Sequence, residues 1–83
     1  MKELRFYVLF PSHTEGMKLD SVLRKNGIKH TIVPTPRLLS VSCGISIMYN
    51  EEDGDRVRKL IEENRVNILG MESLEFEKKN FYL

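Results

Sequence analysis

Leu4-Arg5-Phe6-Tyr7-Val8-Leu9-Phe10, followed at once by Pro11-Ser12-His13-Thr14-Glu15-Gly16, is the stretch that decides the fold. Leu4, Phe6, Val8 and Phe10 alternate with Arg5, Tyr7 and Leu9, a period of two that predicts a strand. Pro11 ends it. Ser12 and Glu15 have the spacing of a capping box, in which the serine oxygen accepts from the Glu15 amide and the Glu15 carboxylate from the Ser12 amide. A helix is predicted from there to about Asn26, with Gly16, Leu19, Val22 and Leu23 on one face and Gly27 as its left-handed stop. Glycine inside a helix costs about 1 kcal/mol against alanine. Gly16 therefore points to a helix packed closely on a sheet.

Outward from this unit, Ile28 to Val33 reads as a second strand. Pro34-Thr35-Pro36 is expected to stop its ladder, because proline has no amide proton, and residues 34–42 are expected to form a loop. Ile45, Ile47 and Tyr49 alternate with Ser46, Met48 and Asn50 in a third strand. Asn50 or Asp53 is placed to cap a second helix running to about Arg65, with Val57, Leu60 and Ile61 on its buried face. A fourth strand falls within Val66–Phe76, interrupted by Gly70, and a short tail covers about residues 77–83. The order βαββαβ, with short connections and right-handed crossovers, predicts an α+β fold. The expected form is a ferredoxin-like two-layer sandwich: a four-stranded antiparallel sheet in the order 4-1-3-2 with two helices on one face. Residues 1–83 read as one domain.

Composition narrows the function. The chain has 83 residues, 41% of them hydrophobic with no alanine or tryptophan, and 30% charged, which is the balance of a globular protein. A net charge of +1 supplies no general field for nucleic acid or anionic membrane. The third strand carries aliphatic side chains where an RNA-binding sheet needs stacking rings, so no nucleic-acid partner is expected. No apolar run approaches the roughly 20 residues that span a bilayer. No secretory leader precedes the first strand, and a cytoplasmic location is expected. One cysteine, Cys43, rules out an internal disulfide and any Cys-rich zinc site. Two histidines distant in sequence add no metal signal, and no phosphate-binding glycine loop occurs, so no metal or cofactor is expected.

The predicted topology brings Pro11–Thr14 and the loop from Pro34 to Gly44 to one rim of the sheet. The Gly27 turn and the acidic Glu51-Glu52-Asp53 go to the other. Only the first rim collects a thiol, an imidazole, hydroxyls and an arginine. Cys43 is either a small buried hydrophobe or a reactive thiol. Reactivity is favoured by the preceding loop, by the open backbone at Gly44, and by the helix N-terminus near Ser12, His13 and Thr14. On the reactive reading its ionisation is expected below the ordinary thiol value of about 8.5, opposed by any burial under Leu38 and Val41. His13 can serve as a base or lie free in solvent. Arg37 can hold an anion or simply cover surface. His30 is in phase with Ile28 and Ile32 and reads as a packed or edge histidine.

Phe10-Pro11-Ser12, the small residue Gly16, Ile32-Val33-Pro34-Thr35-Pro36-Arg37 and Ser40-Val41-Ser42-Cys43-Gly44, in this order and spacing, resemble the putative selenium/sulfur carrier protein-like family of small bacterial proteins. The resemblance runs from Arg5 to about Met71. Its most specific part is Pro-Thr-Pro-Arg followed six residues later by Cys-Gly. It implies that Cys43 carries sulfur or selenium as a persulfide or perselenide, loaded by a donor such as a cysteine desulfurase and unloaded by an acceptor enzyme. Ser42 and Gly44 flank the thiol, while Pro34, Thr35, Pro36 and Arg37 form a partner-docking loop. Leu38 and Val41 depart from the pattern by placing apolar side chains in that loop, and Gly16 stands where alanine is usual. The role implied is that of a carrier rather than an enzyme. The rival is a cysteine-independent module that binds a small molecule or a protein, or forms a homodimer, through the exposed sheet and the tail Phe81-Tyr82-Leu83. A Cys43–His13 thiol enzyme lacks a third, orienting group.

Overall fold

The computed structural model of the protein describes residues 2–39 and 44–77. Strand β1 (Lys2–Leu9) is followed by helix α1 (His13–Lys25), β2 (His30–Pro34), β3 (Ile45–Tyr49), a 3-10 turn (Glu51–Asp53), α2 (Gly54–Glu63) and β4 (Gly70–Glu77). The four strands form one antiparallel sheet in the order β2-β3-β1-β4, the expected order read from its other edge. The core lies between one sheet face and both helices. Val8 and Phe10 of the β1 segment and Ile47 and Tyr49 of β3 meet Leu19 and Leu23 of α1 and Val57 and Ile61 of α2.

Both helices end in the same way. Gly27, at φ +68, donates to the Arg24 carbonyl and Ile28 to that of Leu23, and both Leu23 and Ile28 are buried in the core. Arg65, at φ +53, donates to the Glu62 carbonyl and Val66 to that of Ile61, again a buried pair. These are two Schellman motifs, in which the residue after the cap must be left-handed. Ile28 and Val66 are thereby spent on closing helices rather than on ladders. That is why β2 begins at His30 and β4 at Gly70, both later than their apolar residues suggest. Arginine, unlike glycine, is strained in this region. Arg65→Gly is expected to raise stability by about 0.5–1 kcal/mol in urea unfolding, the relief of strain being partly offset by a freer unfolded chain.

The capping box does not form. Ser12 is the N-cap residue of α1, but its side chain makes no cap bond. The Glu15 carboxylate instead accepts from the Asn67 amide at 2.9 Å. The connector between α2 and β4 passes the start of α1 with an unpaired amide, and Glu15 satisfies it. Neither Asn50 nor Asp53 makes a side-chain cap at its turn.

Pro34 corrects a second expectation, since it is the last residue of β2 and not the first of a loop. In an antiparallel ladder, paired positions alternate between bonded and non-bonded. The Thr35 amide donates to the Gly44 carbonyl at 3.0 Å, so the neighbouring pair Pro34–Ile45 is non-bonded. The proline nitrogen faces away from β3 at a free edge and forfeits no bond.

Gly16 is buried, and a Cβ there would stand 3.0 Å from Ile45 Cδ1 and 3.3 Å from the Phe10 ring. The close approach inferred from its cost is real. Gly16→Ala is expected to stay within about 1 kcal/mol of the natural protein, because helix propensity offsets the small shift required of Ile45. Gly16→Val has no such relief and should cost about 1–3 kcal/mol by overpacking.

Candidate functional site

β1 ends, β2 ends, and β3 and β4 begin at one rim of the sheet, where Leu9 pairs with Ser46 and Gly70 and where Pro34 pairs with Ile45. α1 starts there. Its fourth residue, Gly16, packs on Ile45, the residue after Gly44. The first turn of α1, the end of β2 and Gly44 are thus brought together as expected. Ser42 and Cys43 lie outside the described residues, as does the tail Phe81-Tyr82-Leu83. Gly44 is exposed, and among the described residues nothing lies within 4 Å of where a Cβ would stand.

Ser12, His13 and Thr14 are exposed at the helix start. A first helical turn holds amides without intrahelical partners and a partial positive charge. Glu15 contributes a carboxylate to the same turn, so this positive end is already partly countered. Thr35 and Pro36 are half-buried, and the Pro36 carbonyl accepts from the Leu39 amide at 3.0 Å. Arg37 and Leu38 therefore form the tip of a tight turn, with Leu38 84% exposed. This turn presents a cation and an apolar side chain together.

Sequence reasoning missed Ser46. As the polar alternate of Ile45 and Ile47 it reads as an outward, solvated residue, yet it is completely buried. Its cross-strand partners are Leu9 and Val33, on the face turned away from the helices. Tyr7 and Leu9 are buried on that face too. The side of the sheet expected to be exposed is therefore covered at this end. The signal was present in β1, where Phe6 to Phe10 is apolar on both faces, the mark of a strand buried from both sides. The hydroxyl oxygens of Ser46 and Thr35 are both buried, and neither has a hydrogen-bond partner among the described residues.

The other rim holds the Gly27 turn and the acidic stretch, joined where Arg56 Nη2 donates to the Asn26 carbonyl at 3.5 Å. A cleft of about 570 Å3 opens on that side, lined by Leu4, Lys29, Thr31, Tyr49 and Asn50 among others. His30 lines it too, but none of the first rim's residues does. His30 is packed rather than free. Its Nδ1 lies 2.8 Å from the Ile28 carbonyl and its Nε2 2.7 Å from Asp20 Oδ1, so it fastens β2 to α1. Among the described residues no cluster of three or more metal-ligating side chains occurs, and no helix is long and apolar enough to cross a membrane.

Comparison with curated proteins finds no match for the chain. A family profile does match, over residues 5–72, a span that takes in all of β1 from Arg5, both helices, Pro34 to Arg37 and Cys43-Gly44. The match covers most of the chain: this protein belongs to the family described as "Putative Se/S carrier protein-like".

Proposed function

We propose that the protein is a sulfur or selenium carrier that holds the chalcogen on Cys43 as a persulfide or perselenide. The observation that carries this reading is the family match, whose span includes the cysteine and its flanking motif. The exposure of the next residue, Gly44, supports it. Among the described residues nothing comes within 4 Å of where a Cβ of Gly44 would stand, which suits the approach of a partner's donor group. In loading, the Cys43 thiolate attacks the terminal sulfur of a donor persulfide. A new S–S bond forms, the donor's S–S bond breaks, and the donor leaves as a thiolate. In unloading, an acceptor nucleophile takes the terminal atom and Cys43 is the leaving thiolate. The exposed turn at Arg37 and Leu38 suits docking of donor and acceptor, through one charge and one apolar contact.

Incubation with a cysteine desulfurase and cysteine, followed by intact-mass measurement, tests the reading. The expected result is a gain of one sulfur atom that is reversed by reductant. No gain under conditions that load another acceptor would overturn it.

A further inference from the structure

β2 is one edge of the sheet and β4 the other, and the two edges are built differently. Because the Thr35 amide bonds to the Gly44 carbonyl, Val33 and Thr31 are the next positions bonded to β3. His30, Ile32 and Pro34 therefore turn their backbone groups outward. His30 and Ile32 each present an N–H and a C=O there, and Pro34 a C=O alone. Nothing covers this edge: Thr31 and Pro34 are exposed, and Ile32 is 37% exposed. Open edges are ordinarily blunted by charged side chains. β4 is blunted in this way by Glu72, Glu75 and Glu77, with no basic residue along its length. β2 carries no lysine, arginine, aspartate or glutamate, and only Pro34 limits it.

The two edges also differ in the sign of the charge around them. Residues 21–50 hold Arg24, Lys25, Lys29 and Arg37 and no aspartate or glutamate. Arg24 is committed to Asp20. Lys29 stands just before β2 and Arg37 just beyond it, both exposed, with Lys25 in the last turn of α1. The cleft at the start of β2 is lined by Lys29 and Arg5 and, among the described residues, by no carboxylate. Carboxylates gather instead at the other edge, where Glu51, Asp55 and Glu72 line a hollow with Arg58 and with Met71 and Ser73 of β4.

We propose that the free edge of β2 is a docking site for an extended, acidic segment of a partner protein, which adds to the sheet as a further strand. The backbone of the segment pairs with His30 and Ile32, and an apolar side chain beside Ile32 covers its exposed surface. Carboxylates at the two ends of the segment meet Lys29 and Arg37, whereas a basic segment meets like charge at both. Pro34 sets the limit of the added strand, since it accepts a hydrogen bond but donates none. A second copy is the poorer occupant, because its acidic edge joins β2 only head to tail, an arrangement that does not close on itself. The inference needs only this edge and its charges and does not rest on the carrier reading.

The test uses the full chain and a short synthetic peptide of alternating valine and threonine with glutamates at both ends, against the same peptide with lysines in their place. The glutamate peptide should bind about tenfold more tightly or better, with an advantage that shrinks as salt is raised. On binding, hydrogen exchange of the Ile32 amide should slow about tenfold, while that of Val33, already bonded to β3, stays near its free value. Ile32→Pro removes an outward N–H and no bond to β3, and should weaken binding about tenfold. Lys29→Glu combined with Arg37→Glu leaves the strand itself untouched, so it decides the matter even if the proline variant fails to fold. It should weaken the glutamate peptide by a similar factor and turn the preference toward the lysine peptide. Equal binding of the two peptides, no binding of either, or binding that leaves exchange at Ile32 unchanged would each overturn the proposal. Protection of Ile32 that grows with protein concentration in the absence of peptide would assign the edge to a second copy and overturn it as well.

Discussion

Asp20→Ala is expected to lower stability by about 3 kcal/mol, because it removes one partner of a buried, charge-assisted contact and strands the other. Asp20 lies on the buried face of α1, with its side chain only 7% exposed. Its carboxylate takes the Nε2 proton of His30 at 2.7 Å and a second contact from the Arg24 guanidinium one turn later. The His30 ring is 9% exposed, and its other nitrogen faces the Ile28 carbonyl. Both ring nitrogens thus face acceptors. Without Asp20 that ring keeps one partner and a buried polar nitrogen loses the other.

The same contact sets an acid limb on the stability curve. Burial by itself would raise the Asp20 carboxyl, but the His30 hydrogen bond and the Arg24 charge together outweigh it and hold the group below its ordinary 3.8. A depressed carboxyl contributes stability that is complete above its unfolded value and is lost as pH falls through the lower folded value. Thermal or urea unfolding should therefore lose stability below about pH 4. Asp20→Asn, which cannot titrate, should be less stable at neutral pH and flatter across this acid range. An Asn variant with the natural slope would show that the limb arises elsewhere.

Cys43→Ser is expected to abolish sulfur loading completely. The chain has no second thiol to take over. A serine oxygen does not form a persulfide, so the loss should be all-or-none and should appear as an unchanged intact mass after exposure to any sulfur donor. The folded natural protein should be alkylated at this one site, and the serine variant not at all. If the thiol reacts only after the protein is unfolded, it is a buried hydrophobe, and the carrier reading loses its chemical group.

The alternation of Leu4 to Phe10, the break at Pro11, and the two helical stretches with their apolar spacing were enough to derive the element order and the strand order from residues alone. These signals are local, and each is repeated over several residues. So was the shared rim, because it follows from strand direction once the order is known. Element boundaries were not legible where one residue has two possible uses. Ile28 and Val66 look like strand residues but close helices, and Pro34 looks like a breaker but sits in the ladder with its nitrogen toward a free edge. Glu15 was assigned to a local capping box and instead serves an amide that arrives from residue 67. Asp20 lies on a helix face and His30 on a strand, and neither residue type announces that it will be buried with the other. Ser46 was indistinguishable from a solvated strand residue until the packing of both sheet faces placed it beside Thr35 and away from water. Periodicity reports which side of an element faces a core. What lies opposite a polar atom is set by residues far away in the chain, and only the tertiary structure brings those together.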